Sequence, residues 1–293
     1  MIAGLTKFRK RAVLAMVAAG AVLVVALMLA TPGEPTHNGR PLRSWLADLN
    51  NTTNYQRRLE ARAAIQAIGP AALPYLTNSL DQRNSPALRL YRSGWIPNSV
   101  ANWLRPRVLW HQPILESWHA SQALGSLGPD AKDATPALAA ALGDTSDLIA
   151  QAAAQALAKI GAPAVPALRE RLAKGGTQEK IYALRALADM GTNGAAAAPD
   201  VAPLLAESMP MLADTASLAL NRFGPEAAPF AANYFAHTNN RVKARAVSAV
   251  LYPFGSAPFL TNALLPLLHD PDPKLRYNAP AARILHPHPP RRP

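Results

Sequence analysis

Four of the chain's five tryptophans fall between Trp95 and Trp118, and the same stretch holds Arg105 and Arg107, with Arg83, Arg89 and Arg92 just ahead. No acidic residue lies between Asp81 and Glu116. Tryptophan and arginine dominate the hot spots of protein interfaces. They also suit the headgroup layer of a bilayer. Tryptophan is mostly buried in folded proteins, so local packing competes with both of these roles. Pro97, Pro106 and Pro113 rule out one continuous amphipathic helix. Arg89, Arg92, Trp95, Trp103, Arg105, Arg107 and Trp110 form the candidate binding surface.

Other chemistry is thinly represented. The sequence has no phosphate loop, dinucleotide fingerprint, serine elbow or zinc-protease helix motif. His286 and His288 could gather round a metal with Asp270 and Asp272, but their proline spacing fits solvated turn and tail residues better. Carboxylates are sparse and none form a suggestive pair for acid/base work. With no cysteine, disulfides, thiolate nucleophiles and cysteine-ligated zinc are excluded. No catalytic residue, cofactor or metal is therefore expected, and the chain reads as a non-enzyme.

The elements that would position any site repeat along the chain. Six phrases end in glycine, at Gly69, Gly128, Gly161, Gly191, Gly224 and Gly255, and the last four intervals are 33, 30, 33 and 31 residues. A period in this range marks a solenoid whose units bury their apolar faces against one another. Eight residues before five of these glycines stand Ala61, Ala120, Ala153, Ala183 and Ala216, followed at helical spacing by Ala64, Ala123, Ala156, Ala186 and Ala219. Small residues on a buried stripe let helix axes approach closely. Each glycine stands where a helix C-cap needs a left-handed residue. A second helix then starts near Pro74, Pro136, Pro166, Pro203, Pro229 or Pro258, where the missing N–H costs nothing. Each unit is a helical hairpin, and no β-sheet is expected.

These residues resemble short, alanine-rich HEAT repeats over residues 55 to 286. The resemblance implies an all-α solenoid of about six to seven HEAT-type hairpins. It also implies a ladder in which a basic residue near the start of the inner helix pairs with an aspartate of the preceding turn. Arg58, Lys180 and Arg276 match that position, whereas Ser117, Ala150 and Ala213 do not. HEAT-like folds also occur in DNA glycosylases and bilin lyases, so an enzyme or nucleic-acid-binding protein of that kind is the alternative function.

Ahead of the array, residues 12–30 carry no charged or strongly polar side chain. As a helix this run would extend about 28 Å, close to the hydrocarbon thickness of a bilayer. Lys7, Arg9, Lys10 and Arg11 precede it, which predicts a transmembrane signal anchor with the N-terminus inside and the repeats outside, in the periplasm. Secretion after signal cleavage is the alternative. The expected organisation is a basic n-region and anchor over 1–30, a linker over 31–38, the solenoid over 39–286 with an insertion at about 82–112, and a disordered basic tail over 287–293. Leu42, Trp45, Leu46 and Leu49 would form one face of a helix closing the open end.

The net charge of +12 invites nucleic acid as a partner. Four of those charges are explained as topology signals, and the inner helices show alanine, glutamine and serine rather than a basic stripe, which disfavours it. The expected function is a noncatalytic scaffold or adaptor on the outer side of the cytoplasmic membrane, with a protein partner.

Overall fold

Alanine-rich helices that stop at a glycine come out nearly equal in length. Tyr55–Ile68, Asp147–Ile160, Thr177–Met190 and Pro210–Phe223 are each 14 residues, and Pro113–Leu127 is 15. Each ends one residue before its repeat glycine. The computed structural model describes residues 33–49, 54–81, 113–250, 267 and 269–278. In chain order its helices are α1 Leu42–Leu49, α2 Tyr55–Ile68, α3 Leu73–Asp81, α4 Pro113–Leu127, α5 Thr135–Ala141, α6 Asp147–Ile160 and α7 Val165–Lys174. There follow α8 Thr177–Met190, α9 Ala198–Val201, α10 Pro210–Phe223, α11 Ala228–Ala232, α12 Asn240–Val250 and α13 Pro273–Asn278. The described residues are mostly helical, and in the second unit they stack as a solenoid. It divides into two compact units at Ala120 and Ser121, within α4.

Among the described residues, the first element of the first unit lies outside the repeat pattern. Thr36–His37 (β1) and Arg40–Pro41 (β2) pair antiparallel, Thr36 opposite Pro41 and His37 opposite Arg40. The expectation of no β-sheet is corrected here. Asn38 and Gly39 both have positive φ, 50° and 72°, and Asn-Gly is the favoured dipeptide for a two-residue hairpin turn. The Arg40 guanidinium lies 3.9 Å from the Trp45 ring centroid and 2.7 Å from Asp48, which ties the hairpin onto α1. Of the expected closing face, Leu42, Trp45 and Leu46 are buried and Leu49 is half-buried. At the end of this unit, Ser117 Oγ donates a buried hydrogen bond of 2.9 Å to the Ser79 carbonyl.

In the second unit the first helices of successive repeats, α6, α8, α10 and α12, pack side by side. Second helices are shorter. In the repeat that starts at Thr177 the second helix is split, α9 giving way to a 3-10 segment at Ala202–Ala206 that contains Pro203. Ala153, Ala156, Ala183, Ala186, Ala216 and Ala219 are all buried, as the stripe predicts. Their small size sets the helix separation. A Cβ added at Gly125 would stand 3.1 Å from the Ala156 Cα, so backbone meets backbone there. Pro258, Gly255 and the tail over 287–293 lie outside the described residues.

The repeat glycines differ from the expected cap in one dihedral. Gly161 has φ 78° and ψ −142°, and Gly69 and Gly191 fall close by. Positive φ is as predicted, but ψ lies far from the left-handed helical value because the chain turns at once into a 3-10 segment. That region is almost closed to residues with a Cβ. A Cβ at Gly161 would meet nothing within 4 Å, so only backbone strain opposes it. Gly161→Ala should therefore lower unfolding free energy by about 1–3 kcal/mol in urea titration. A variant as stable as the parent would show that this turn relaxes freely.

Candidate functional site

Among the described residues, the large apolar side chains left exposed share one kind of location. Tyr55, Leu59, Leu115, Leu148, Met209, Met211 and Leu218 all lie on a first helix or at its N-terminus. Leu115, Leu148 and Met211 hold the same sequence register, 13 residues before their glycines. Leu218 follows Met211 by two helical turns and so shares its face. The second helices leave no large apolar side chain exposed among the described residues.

In the second unit Leu218 borders a depression of about 210 Å³. It is lined by Gln151, Ala154 and Gln155 of α6, Tyr182, Arg185, Ala188 and Asp189 of α8, and Leu218 and Arg222 of α10. Ala154 and Ala188 are small and buried, which makes the floor, while the longer side chains stand as walls. The Arg185 guanidinium lies 5.3 Å from the Tyr182 ring centroid. Tyr182 Oη is 3.3 Å from Asp147 Oδ1. Burial, reinforced by the Asp147 charge and hydrogen bond, raises the Tyr182 pKa above the usual phenol value and keeps the hydroxyl a donor.

Polar groups around the depression mostly join one repeat to the next. Gln178 donates to Asp147 at 2.6 Å, Arg222 Nη1 to Asp189 at 2.6 Å and Arg245 Nε to Asp214 at 2.7 Å. Gln122 reaches Gln155 at 3.4 Å. On the second-helix side Arg169 pairs with Asp200. Arg222 and Asp189 are each about half-exposed, so their pair contributes at most about 1 kcal/mol and serves registry more than stability. The ladder thus exists but uses other residues than those expected. Arg276 Nη1 donates to the Asp270 and Pro271 carbonyls, at 2.7 and 3.0 Å. The Arg58 guanidinium lies 5.4 Å from the Tyr55 ring centroid. Lys180 forms no ion pair among the described residues. Equivalent partners differ too much in type, from Gln–Gln to Asp–Arg, for a fixed motif to reveal them.

Of the carboxylates weighed for a metal role, Asp270 is engaged otherwise. Asp270 accepts from Lys243 Nζ at 2.7 Å and from the Asp272 N–H at 2.9 Å, which together hold its pKa below the usual carboxylate value. His286 and His288 lie outside the described residues. Among the described residues no group of three or more His, Asp or Glu could hold a metal. Arg89, Arg92, Trp95, Trp103, Arg105, Arg107 and Trp110 also lie outside the described residues. Of the tryptophans flanking that segment, Trp118 is half-buried, its ring centroid 5.2 Å from that of His119.

Charge divides unevenly along the chain. Residues 121–250 hold eleven basic and eleven acidic side chains, so the excess of +12 belongs to the rest. A neutral array in which Arg169, Arg222 and Arg245 are each paired with an aspartate does not make the basic stripe that a phosphate backbone requires.

Residues 111–179 match a family model described as HEAT repeats. Over those residues the chain is similar to HEAT repeats. No curated protein matches the chain. Similar solved structures include an engineered protein, 18% identical, with 83% of this chain and 77% of that one covered and a TM-score of 0.38. A designed armadillo repeat protein in complex with a (KR)4 peptide is 16% identical, with coverages of 71% and 98% and a TM-score of 0.33. The complex of CpcE and CpcF of phycocyanin lyase from Nostoc sp. PCC7120 is 21% identical, with coverages of 86% and 95% and a TM-score of 0.35. These likenesses carry nothing about what this chain binds or does.

Proposed function

We propose that this chain is a noncatalytic protein-binding scaffold. The observation that carries the reading is the placement of the exposed apolar side chains on the first helices, with none on the second helices among the described residues. Apolar side chains held on a rigid face beside polar and charged neighbours are what a protein interface uses. Repeat stacking supports the same role, because side-by-side helices form an extended surface.

The test is affinity capture followed by mass spectrometry, with the double variant Met211→Glu and Leu218→Glu as the comparison. Both residues are about half-exposed, 54% and 47%, so the variant should fold with an unchanged melting temperature. It should lose at least nine-tenths of the captured partner. Equal recovery from both proteins would sink the role of this face. Deleting residues 85–112 is the companion arm, since the tryptophan and arginine surface of that segment remains our second proposed contact. Loss of the partner in this deletion alone would move the binding site there.

Display on the outer side of the cytoplasmic membrane is also our proposal, supported by the apolar run of residues 12–30 and the basic residues before it. No helix among the described residues is long and apolar enough to cross a membrane, and residues 12–30 lie outside them. The full chain should stay in the membrane fraction after a carbonate wash. Complete release into the supernatant would overturn the anchor.

A further inference from the structure

Arg185 differs from the other charges lining the depression in the second unit. Arg222 and Asp189 neutralise each other at 2.6 Å. Arg185 is exposed and forms no ion pair among the described residues, its contact being the face of Tyr182. The lining side chains Arg185, Arg222 and Asp189 therefore carry a net charge of +1 inside an array that is neutral as a whole, while Asp147, outside the lining, accepts from Gln178 and Tyr182. Around that charge stand exposed Gln151 and Gln155 on one side and Leu218, 47% exposed, on the other.

We propose that this depression is the seat of an extended peptide segment of the partner that carries a carboxylate, as Asp or Glu, beside an apolar side chain. The proposal rests on the protein-binding reading above and names the chemistry of the partner. Arg185 takes the carboxylate in a forked pair of hydrogen bonds, for which guanidinium geometry is suited. Leu218 receives the apolar side chain. An extended segment brings unpaired backbone N–H and C=O groups, and a glutamine amide can both donate to and accept from them. Gln151 and Gln155 stand one helical turn apart on α6 and supply two such amides, the Gln155 oxygen also accepting from Gln122 at 3.4 Å and its N–H groups facing the segment. Packed helices lie about 8–10 Å apart, so crossing α6, α8 and α10 takes roughly 20 Å. At about 3.3 Å per residue that is roughly six residues of extended chain. The length spans the row from Gln155 to Leu218 with alternate side chains facing the protein. A basic segment would meet Arg185 without compensation, and an uncharged one would bury it unpaired.

The test pans a display library of random twelve-residue peptides against the immobilised full chain, with sequencing as the readout. Sequences enriched by the native chain should carry Asp or Glu next to an apolar residue, and their binding to Arg185→Glu should fall at least tenfold. Panning against Arg185→Glu itself should enrich Lys or Arg in place of the acid, an exchange that a merely structural role for Arg185 would not produce. Lys132→Glu, the same charge change at an exposed turn outside the depression, should leave the acidic preference intact. Enriched peptides without an acidic residue, or bound equally by Arg185→Glu, overturn the inference and leave the protein-binding reading standing. No enrichment at all overturns the inference; if affinity capture also returns no partner, the protein-binding reading falls with it.

Discussion

Phe223→Ala should cost about 3–5 kcal/mol of stability, the range for removing a fully buried aromatic side chain. Among the described residues Phe223 is the largest side chain buried completely. It closes α10 immediately before Gly224, and its ring rests against the preceding repeat. A Cβ built on Gly194 would stand 2.8 Å from Phe223 Cε1, so the ring occupies space that exists because Gly194 has no side chain. Truncation would leave a cavity at a joint between repeats, and the joint cannot collapse freely because Gly194 also packs against the Leu187 carbonyl, 2.7 Å from the same Cβ. In a stacked array each repeat leans only on its neighbours, so the loss should be local. Amide exchange should accelerate over residues 177–232 and change little over residues 147–160. Phe223→Leu keeps most of the volume and should recover more than half of the deficit. A melting temperature unchanged by Phe223→Ala would show that the joint is held elsewhere.

Much of this architecture is legible because it repeats. Ala153, Ala183 and Ala216 occupy one register, and the sequence marks them as buried before any helix is placed. Features that occur once are harder to read. The Asn38–Gly39 turn carries a strong hairpin signal, but its strands are two residues each, too short to show an alternating pattern. The ψ value of the repeat glycines depends on the segment after them, a 3-10 turn whose early proline is present after Gly161 but missing after Gly191. The depression is harder still, because its walls come from residues 27 or more positions apart whose partners change type at every step. One signal was available. Leu148, Met211 and Leu218 interrupt the polar side of otherwise amphipathic helices, and it is their shared location on first helices, rather than any one of them, that points to a contact surface. The tryptophan and arginine segment draws a sequence-based expectation elsewhere because composition is conspicuous where geometry is not.

The alanine stripe makes the other large prediction, and it separates burial from chemistry. Ala183 is fully buried on α8, between α6 and α10. Ala173, on α7, is exposed. Changing either to Leu adds the same three carbons and slightly favours neither helix, since alanine and leucine have similar helix propensities. At Ala183 the added atoms must enter an interface whose spacing is set by small residues on both sides, and the Gly125–Ala156 approach shows how closely such backbones come. Overpacking of this kind costs about 1–3 kcal/mol. The upper part of that range is expected for Ala183→Leu, because α8 is flanked on both sides and widening one interface disturbs the other. Ala173→Leu should stay within about 0.5 kcal/mol of the parent, as surface changes do. The depression borders the same helices, so Ala183→Leu should also weaken partner capture beyond what its stability loss explains, by shifting Arg185 relative to Leu218. Equal melting temperatures for the two variants would mean that the stripe does not set the helix spacing, and that another contact aligns the walls of the depression.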